Sequence, residues 1–162
     1  MMGIVFSNTS LLSGSGNNSI NLNNQIVQFV DNTATVNASA TTAAWVNLLS
    51  TTITTSKNNN RVLVEYMCNH RNDFTQGNWS LTYHRMLVSG PNISNAQIMY
   101  SGHMGSASLN IGYYERQFLY TASLVGTYTF TAQGLAFQGT STFGTNNSGS
   151  TNHYLRLYEI GS

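Results

Sequence analysis

Hydrophobic and polar residues alternate most clearly in residues 115–138. Apolar side chains occupy every second position on either side of Gly126: Phe118, Tyr120, Ala122 and Leu124 before it, Tyr128, Phe130 and Ala132 after it. Period two predicts two strands with a tight link at Gly126, that is, a hairpin. The second strand carries an aromatic face opposite a threonine face, which is typical of a sheet with one side in a core.

Further segments have the composition of strands. They are residues 25–31, 51–55, 61–68, 79–88, 96–100 and 152–160, with one more strand at either 135–138 or 140–143. Segment 61–68 predicts a core strand after a turn at 56–60. One face of that strand holds Val62, Val64, Tyr66 and Cys68. Residues 70–77 read as a polar loop, and residues 102–112 as a glycine-rich connection.

The last segment, residues 152–160, is apolar on both faces. Both faces then need a cover, which an isolated sandwich does not provide at its edge. No segment has the periodicity of a normal helix. The chain is therefore predicted to be all-β, an antiparallel jelly-roll sandwich over residues 25–162 with an extended N-terminal arm.

The arm comprises residues 1–24, which are rich in Gly, Ser and Asn. Such a segment buries too little surface to order itself. Its apolar residues are the candidates for docking on a partner: Ile4, Val5, Phe6, Leu11 and Leu12. Two interpretations stay open, since the arm either lies along its own domain or threads onto a partner chain.

Charged residues make up only 7% of the 162 residues, against about 25% in ordinary soluble domains. The net charge is +1 and the six cationic residues are scattered along the sequence. The sequence therefore predicts no basic patch that could bind the phosphates of a nucleic-acid backbone, and nucleic-acid binding is not expected. The N-terminal sequence has neither a signal-peptide pattern nor a long apolar run, so we expect synthesis in a cytoplasm and no membrane insertion.

Catalytic and metal chemistry have little support in the sequence. The carboxylates Asp31, Glu65, Asp73, Glu115 and Glu159 show no paired spacing, and Glu65 and Glu159 read as strand residues facing solvent or an interface. The histidines His70, His84, His103 and His153 lack the spacing of metal motifs and read as surface residues, although one His per chain at a three-fold axis stays open. Cys68 is alone and reads as a small buried side chain. We expect no enzyme activity and no cofactor.

The loop that contains His70, Asn72, Asp73 and Phe74 mixes amide, acidic, imidazole and aromatic groups. Carbohydrate-binding surfaces use this set of groups, so the loop is a candidate glycan-facing site. The alternative is an ordinary exposed loop in an Asn-rich protein.

From Trp45 to its end the chain resembles the trimeric jelly-roll heads of the tumour-necrosis-factor and complement type, in the form common in bacteriophage virion proteins. The resemblance depends on Trp45 before a Thr-rich strand, the valine strand after residues 56–60, the paired aromatic strands around Gly126, and a final strand with Leu155, Leu157, Glu159 and Ile160. It implies a three-fold axis lined by aromatic and aliphatic side chains, and no chemistry.

Together with the two-faced last strand, the resemblance predicts a homotrimer. The interface candidates are Leu119, Tyr120, Tyr154, Tyr158 and Ile160. The first functional hypothesis is a virion surface protein, assembled in the host cytoplasm: a capsid decoration (cement) protein or short head fibre that docks on the major capsid protein or another virion protein. The alternative is a receptor-binding fibre tip that recognises host surface glycan; a small enzyme or a cellular lectin comes third.

Overall fold

The structure, a computed structural model, describes residues 25–36, 38–41, 44–72, 79–106, 110–137, 139–146, 149–150 and 152–161. Within these ranges the chain forms twelve strands and no helix. The strands are β1 (Ile26–Thr35), β2 (Ala38–Thr41), β3 (Val46–Thr55), β4 (Arg61–Asn72), β5 (Trp79–Gly90), β6 (Ile93–Ser106), β7 (Asn110–Thr121), β8 (Gly126–Ala136), β9 (Thr140–Phe143), β10 (Thr145–Asn146), β11 (Gly149–Ser150) and β12 (Asn152–Ile160). The predicted all-β class is confirmed. The predicted arm, residues 1–24, lies outside the described residues and stays a prediction.

The strands form two main antiparallel sheets. In sheet A the order is β1-β12-β4, with β7 on the other flank of β4, and β9 and β2 continue beside the end of β4. Sheet B has the order β3-β8-β5-β6. The chain passes repeatedly from one sheet to the other, and the two layers, β1-β12-β4-β7 and β3-β8-β5-β6, are consistent with a jelly roll.

The core lies between the two sheets because each long strand turns alternate side chains inward. The predicted inner face of β4 is confirmed, since Val62, Val64, Tyr66 and Cys68 are all fully buried. Sheet B supplies the opposite wall. Its largest fully buried apolar side chains are Ile53, Met86, Tyr128 and Phe130.

The predicted hairpin around Gly126 is wrong. Strand β7 pairs with β4 in sheet A, whereas β8 pairs with β3 and β5 in sheet B. The two strands therefore face each other across the core, where the Tyr120 ring meets Tyr128 and Phe130 edge-on at centroid distances of 5.7 and 5.5 Å. Alternation identifies a strand, but it does not identify the strand's partner.

The link between β7 and β8 is fixed by the turn after β3. Asn59, at a φ of 62°, donates its backbone N–H to the carbonyl of Ala122 at 2.8 Å, and Ala122 donates to the carbonyl of Asn60 at 2.9 Å. The turn predicted at residues 56–60 is confirmed. It holds the point where the chain leaves sheet A for sheet B.

Three other predictions need correction. The last strand, β12, lies inside sheet A between β1 and β4 and is not at an edge. Most of the predicted glycine-rich connection at 102–112 belongs to the long strands β6 and β7. The predicted polar loop begins later than expected because β4 continues to Asn72, where it pairs with β7 and β9.

Candidate functional site

The outer face of sheet A is built from the alternate residues that β1, β12, β4 and β7 turn away from the core. In β12, His153, Leu155, Leu157 and Glu159 are buried. The residues between them are partly exposed on the outer face. Four strands in continuous antiparallel register therefore present rows of side chains that run across the sheet.

One of these rows is apolar along its whole length, and we call it the apolar row: Phe29, Tyr158, Leu63 and Leu119. Each member is the direct cross-strand neighbour of the next. The rings of Phe29 and Tyr158 stack at 4.7 Å. At its two ends Phe29 is 49% and Leu119 is 53% exposed. The face thus carries a contiguous apolar stripe, with Ile160 one row away, and this stripe is a candidate interaction surface.

The polar groups beside the apolar row already have partners within the chain. Arg156 Nε lies 3.3 Å from Asp31 Oδ1. The Glu65 carboxylate accepts hydrogen bonds from Tyr158 Oη at 3.0 Å and from Gln117 Nε2 at 2.9 Å. Burial and the hydrogen bond to Glu65 raise the pKa of Tyr158. A partner that covers this face would meet one ion pair and one hydrogen-bonded carboxylate, whose desolvation costs less than that of isolated charges.

Four of the five predicted interface residues lie on this face. Tyr158 and Leu119 belong to the apolar row. Tyr154, whose hydroxyl donates to Glu115 Oε1 at 2.9 Å, and Ile160 flank the row. Tyr120 does not lie there: it points inward against Tyr128 and Phe130. Leu119 and Tyr120 are adjacent in a strand, so they cannot share a face.

Sequence reasoning missed Phe29 and Leu63 as members of the row. The predicted core face of β4 contains Val62 and Val64, so alternation alone puts Leu63 on the opposite face, which was the available signal. Phe29 lies beyond an irregularity in the pairing of β1 with β12 between Ile26 and Gln28. That irregularity shifts the alternation of faces by one residue, so the apolar residues of β1 do not follow a strict period of two in the sequence.

The first residues of the predicted glycan-facing loop belong to a buried strand and do not form a surface loop. His70 is 1% and Asn72 is 4% exposed, and both belong to β4. Because they are buried inside the chain, neither side chain faces a ligand at the surface. Asp73 and Phe74 lie outside the described residues.

His70 and Asn72 instead belong to a polar cluster inside the sandwich. His84 lies 3.1 Å from Tyr66 Oη through Nδ1 and 3.3 Å from His70 Nδ1 through Nε2. The His84 ring stacks on Tyr114 at 4.2 Å. The surface position predicted for the histidines is therefore wrong for His70, His84 and His153, all of which are buried. The cluster joins β4 to β5 across the core, and its imidazoles are enclosed rather than open to substrate.

Two further buried groups have structural partners. Cys68 is buried as predicted, and burial raises the pKa of its thiol to about 12, which favours the protonated form at neutral pH. Glu159 was expected to face solvent or an interface, but it is 1% exposed. Its Oε1 accepts hydrogen bonds from Ser56 N at 2.6 Å, Ser56 Oγ at 2.9 Å and Asn60 Nδ2 at 2.6 Å. This carboxylate ties β12 to the turn at 56–60.

The outer face of sheet B carries a polar row across its four strands: Asn47, Gln133, Arg85 and Tyr100. These residues are successive cross-strand neighbours. Arg85 Nε donates to Gln133 Oε1 at 2.6 Å, and Gln133 Nε2 donates to Asn47 Oδ1 at 2.6 Å. Beside this polar row is a groove of about 520 Å³. It is lined by Asn47, Arg85, Leu87, Asn95, Gln97, Thr131 and Gln133.

An aromatic cluster adjoins the groove. Tyr100, 53% exposed, stacks on Tyr83 at 5.2 Å and meets Trp45 edge-on at 6.2 Å. Phe137, 51% exposed, packs edge-on against Tyr83 at 6.0 Å. The Arg85 guanidinium lies 4.2 Å from the Trp45 ring centroid. Arg85 therefore belongs to the groove and to the aromatic cluster at once.

Among the described residues, no group of three or more His, Cys, Asp or Glu side chains is placed to hold a metal ion. In the same part of the chain, no helix has the length and apolar character needed to cross a membrane.

No family model matches the sequence, and no curated protein matches it. Solved structures do match. One is the structure of infectious bursal disease virus Gx strain, with a TM-score of 0.40 and 10% identity over 83% of this chain and 37% of that chain. Another is the structure of infectious bursal disease virus Gt strain, with a TM-score of 0.39 and 9% identity over 85% of this chain and 39% of that chain. The chain thus spans less than two fifths of either. The resemblance to tumour-necrosis-factor and complement heads stays a prediction.

Proposed function

We propose that this protein is a structural component of a virus particle, a homotrimeric capsid decoration (cement) protein or short head fibre. The outer face of sheet A is its assembly surface. The arm, residues 1–24, docks on the major capsid protein or another virion protein. Its role is assembly rather than catalysis, and its place is the virion surface.

The observation that carries this proposal is the apolar row. An ordinary monomer scatters its exposed apolar side chains singly, and a contiguous row that crosses a whole sheet needs an explanation. Burial against another copy provides one, at about 25 cal/mol for each Å² of apolar surface removed from water. The paired charges beside the row lower the opposing desolvation cost.

The copy number of three is supported by the resemblance of the strand pattern to trimeric heads. A closed three-fold ring uses a heterologous contact, in which one patch of each copy meets a different patch of the next. The apolar row is broad enough to contribute one of these patches. The buried histidine cluster and Glu159 form hydrogen bonds within the sandwich and stabilise it. We therefore assign the function to the surfaces of the described chain.

The test is a docking experiment with virus particles that lack this chain. Purified full-length protein is added, the particles are sedimented, and their electron cryo-microscopy map is compared with that of untreated particles. We expect extra three-lobed density at regular surface positions. A protein without residues 1–24 should remain a trimer but fail to sediment with the particles. Full-length protein that stays in the supernatant, with no new density, would contradict the proposal.

A second candidate is a receptor-binding fibre tip that recognises host surface glycan. The groove and aromatic cluster on the outer face of sheet B favour it. The two candidates use opposite faces of the sandwich, so one protein can carry both roles.

A further inference from the structure

The groove on sheet B has the volume of a small-molecule site and a lining that is mostly polar. Its volume is about 520 Å³, and small-molecule sites commonly measure about 300–1,000 Å³. Four of its lining side chains are amides, Asn47, Asn95, Gln97 and Gln133, and Thr131 adds a hydroxyl. Asn47 and Asn95 keep their Nδ2 donors for a ligand, since their Oδ1 atoms accept from Gln133 and Ser89. Gln97 is exposed and offers a donor and an acceptor, which is the pairing capacity that a ligand rich in hydroxyl groups requires.

The aromatic cluster supplies the complementary apolar element. About half of the Tyr100 side chain is exposed, and the ring is held in place by stacking on Tyr83 and by edge contact with Trp45. A fixed aromatic ring gives a large contact area at low entropic cost, and its negative face attracts polarised C–H groups. The C–H face of a sugar ring fits such a platform, while its hydroxyl groups reach the amides.

The positive charge of Arg85 favours an anionic ligand. Among the described residues that line the groove, Arg85 is the only one with a charged side chain. Its ordered contacts are the hydrogen bond from Nε to Gln133 and the stack on Trp45, and within the described part of the chain no carboxylate forms an ion pair with it. A guanidinium held in this way presents its remaining N–H groups in a preset plane, the geometry that binds a carboxylate.

We propose that this groove binds an acidic oligosaccharide, with the sugar carboxylate paired to Arg85 and a sugar ring packed on Tyr100. The site is independent of the proposed assembly face, because it lies on the opposite sheet. It also replaces the residue 70–74 loop as the carbohydrate-facing surface, since His70 and Asn72 are buried.

The test is calorimetric titration of the full-length protein with three acidic probes, 3′-sialyllactose, trigalacturonate and trimannuronate. Lactose and maltotriose serve as neutral counterparts. We expect at least one acidic probe to bind, with an affinity that falls as salt is raised, because the Arg85 pair is partly exposed. The neutral sugars should bind at least about tenfold more weakly, since they lack the charge-assisted pair.

Variants localise the site. Arg85→Gln should weaken binding of the acidic probe by about tenfold or more, and Arg85→Lys should lose part of the affinity because an ammonium cannot form the bidentate pair. Tyr100→Ala should weaken binding severalfold. The matched control is Arg116→Gln, since Arg116 also lies over an aromatic ring, Tyr114, at 5.0 Å but on sheet A. It should bind as the wild type does.

Melting temperatures are measured for every variant. If Arg85→Gln disturbs the fold, Gln97→Ala replaces it, because Gln97 is an exposed groove residue, and it should weaken binding severalfold. The proposal is overturned if none of the three acidic probes binds, if the neutral sugars bind equally well, or if the groove variants bind like Arg116→Gln.

Discussion

The two outer faces of the sandwich differ in their side chains and in whether their few charged groups have partners within the chain. Sheet A presents an apolar row, and the ionic groups beside it, Asp31, Arg156 and Glu65, have partners within the chain. Sheet B presents amides, threonines and one cation, Arg85, whose charge has no carboxylate partner in the described residues. A face with paired charges and an apolar centre suits burial against protein. A face with unused donors suits a polar ligand.

The surface features of both faces are rows of residues from different strands, not single residues or local motifs. Antiparallel register aligns Phe29, Tyr158, Leu63 and Leu119 on one side of the molecule. On the other side it aligns Asn47, Gln133, Arg85 and Tyr100. Each strand contributes one residue to a row, so no single strand carries a motif that could be recognised in the sequence.

The largest expected effect comes from the core on which both faces rest. Phe130 is fully buried, so Phe130→Ala should lower the free energy of unfolding by about 3–5 kcal/mol. Thr129→Ala, which acts on the outer side of the same strand, should cost less than about 1 kcal/mol. Denaturant titration of both variants measures the difference. Equal losses would mean that β8 is in the other register and that both faces are wrongly assigned.

A smaller effect is expected when the buried carboxylate is neutralised. Glu159→Gln replaces three charge-assisted hydrogen bonds to Ser56 and Asn60 by weaker neutral ones, which should cost about 1.5–3 kcal/mol. Glu115→Gln is the control, because Glu115 is exposed and should change stability by less than about 0.5 kcal/mol. A similar small loss for Glu159→Gln would remove this carboxylate as an anchor of sheet A.

Acid should weaken the fold on the sheet A side through His153. Burial lowers the pKa of His153 below its usual 6.5, although a backbone hydrogen bond to Ala34 opposes the shift. Its Nδ1 accepts a hydrogen bond from the Val36 N–H at 3.4 Å, which requires the neutral ring. The unfolded chain therefore binds the proton more readily, and stability is lost as the pH falls below the unfolded pKa towards the folded one.

The measurement is the melting temperature between pH 7.5 and pH 5, for the wild type and for His153→Gln. We expect a shallower pH dependence in the variant. His70 and His84 are present in both proteins, so their contribution is common to the two curves. Parallel curves would exclude His153 as a source of the acid sensitivity.

The smallest effect is expected from the exposed ion pair beside the apolar row. The Asp31 and Arg156 side chains are 36% and 34% exposed, and pairs of this kind contribute about 0.2–1 kcal/mol. Asp31→Asn should therefore cost less than about 1 kcal/mol in unfolding, and raised salt should reduce the difference. A loss above that range would show that the pair is a structural element of the sheet rather than a satisfied surface group.

The strands themselves could be predicted because alternation is a local property. The inner face of β4 and the turn at residues 56–60 follow from their own sequence. The partner of a strand is a long-range property, so β7 and β8 were assigned to one hairpin although they lie in different sheets. His70 and Asn72 look like loop residues because their partners, His84 and Ser141 among them, lie elsewhere in the sequence.

The candidate surfaces were predictable only in part for the same reason. Tyr158, Ile160, Tyr154 and Leu119 were found because a β-strand with apolar residues on both faces stands out in the sequence. The polar row of sheet B was not found, because Arg85 is 48 residues from Gln133, and Gln133 is 86 residues from Asn47. Residues so far apart are brought together only by the register of the sheet.

The central claim, that the apolar row is an assembly surface, is tested most directly by native mass spectrometry at micromolar concentration. Three proteins are compared: the wild type, Leu119→Asp at the end of the row, and Val125→Asp in the link outside the row. Leu119 and Val125 are 53% and 51% exposed, so the same charge is introduced at matched sites. We predict a trimer for the wild type and for Val125→Asp, and a monomer for Leu119→Asp. A monomeric wild type, or a Leu119→Asp protein that remains a trimer, would contradict the claim.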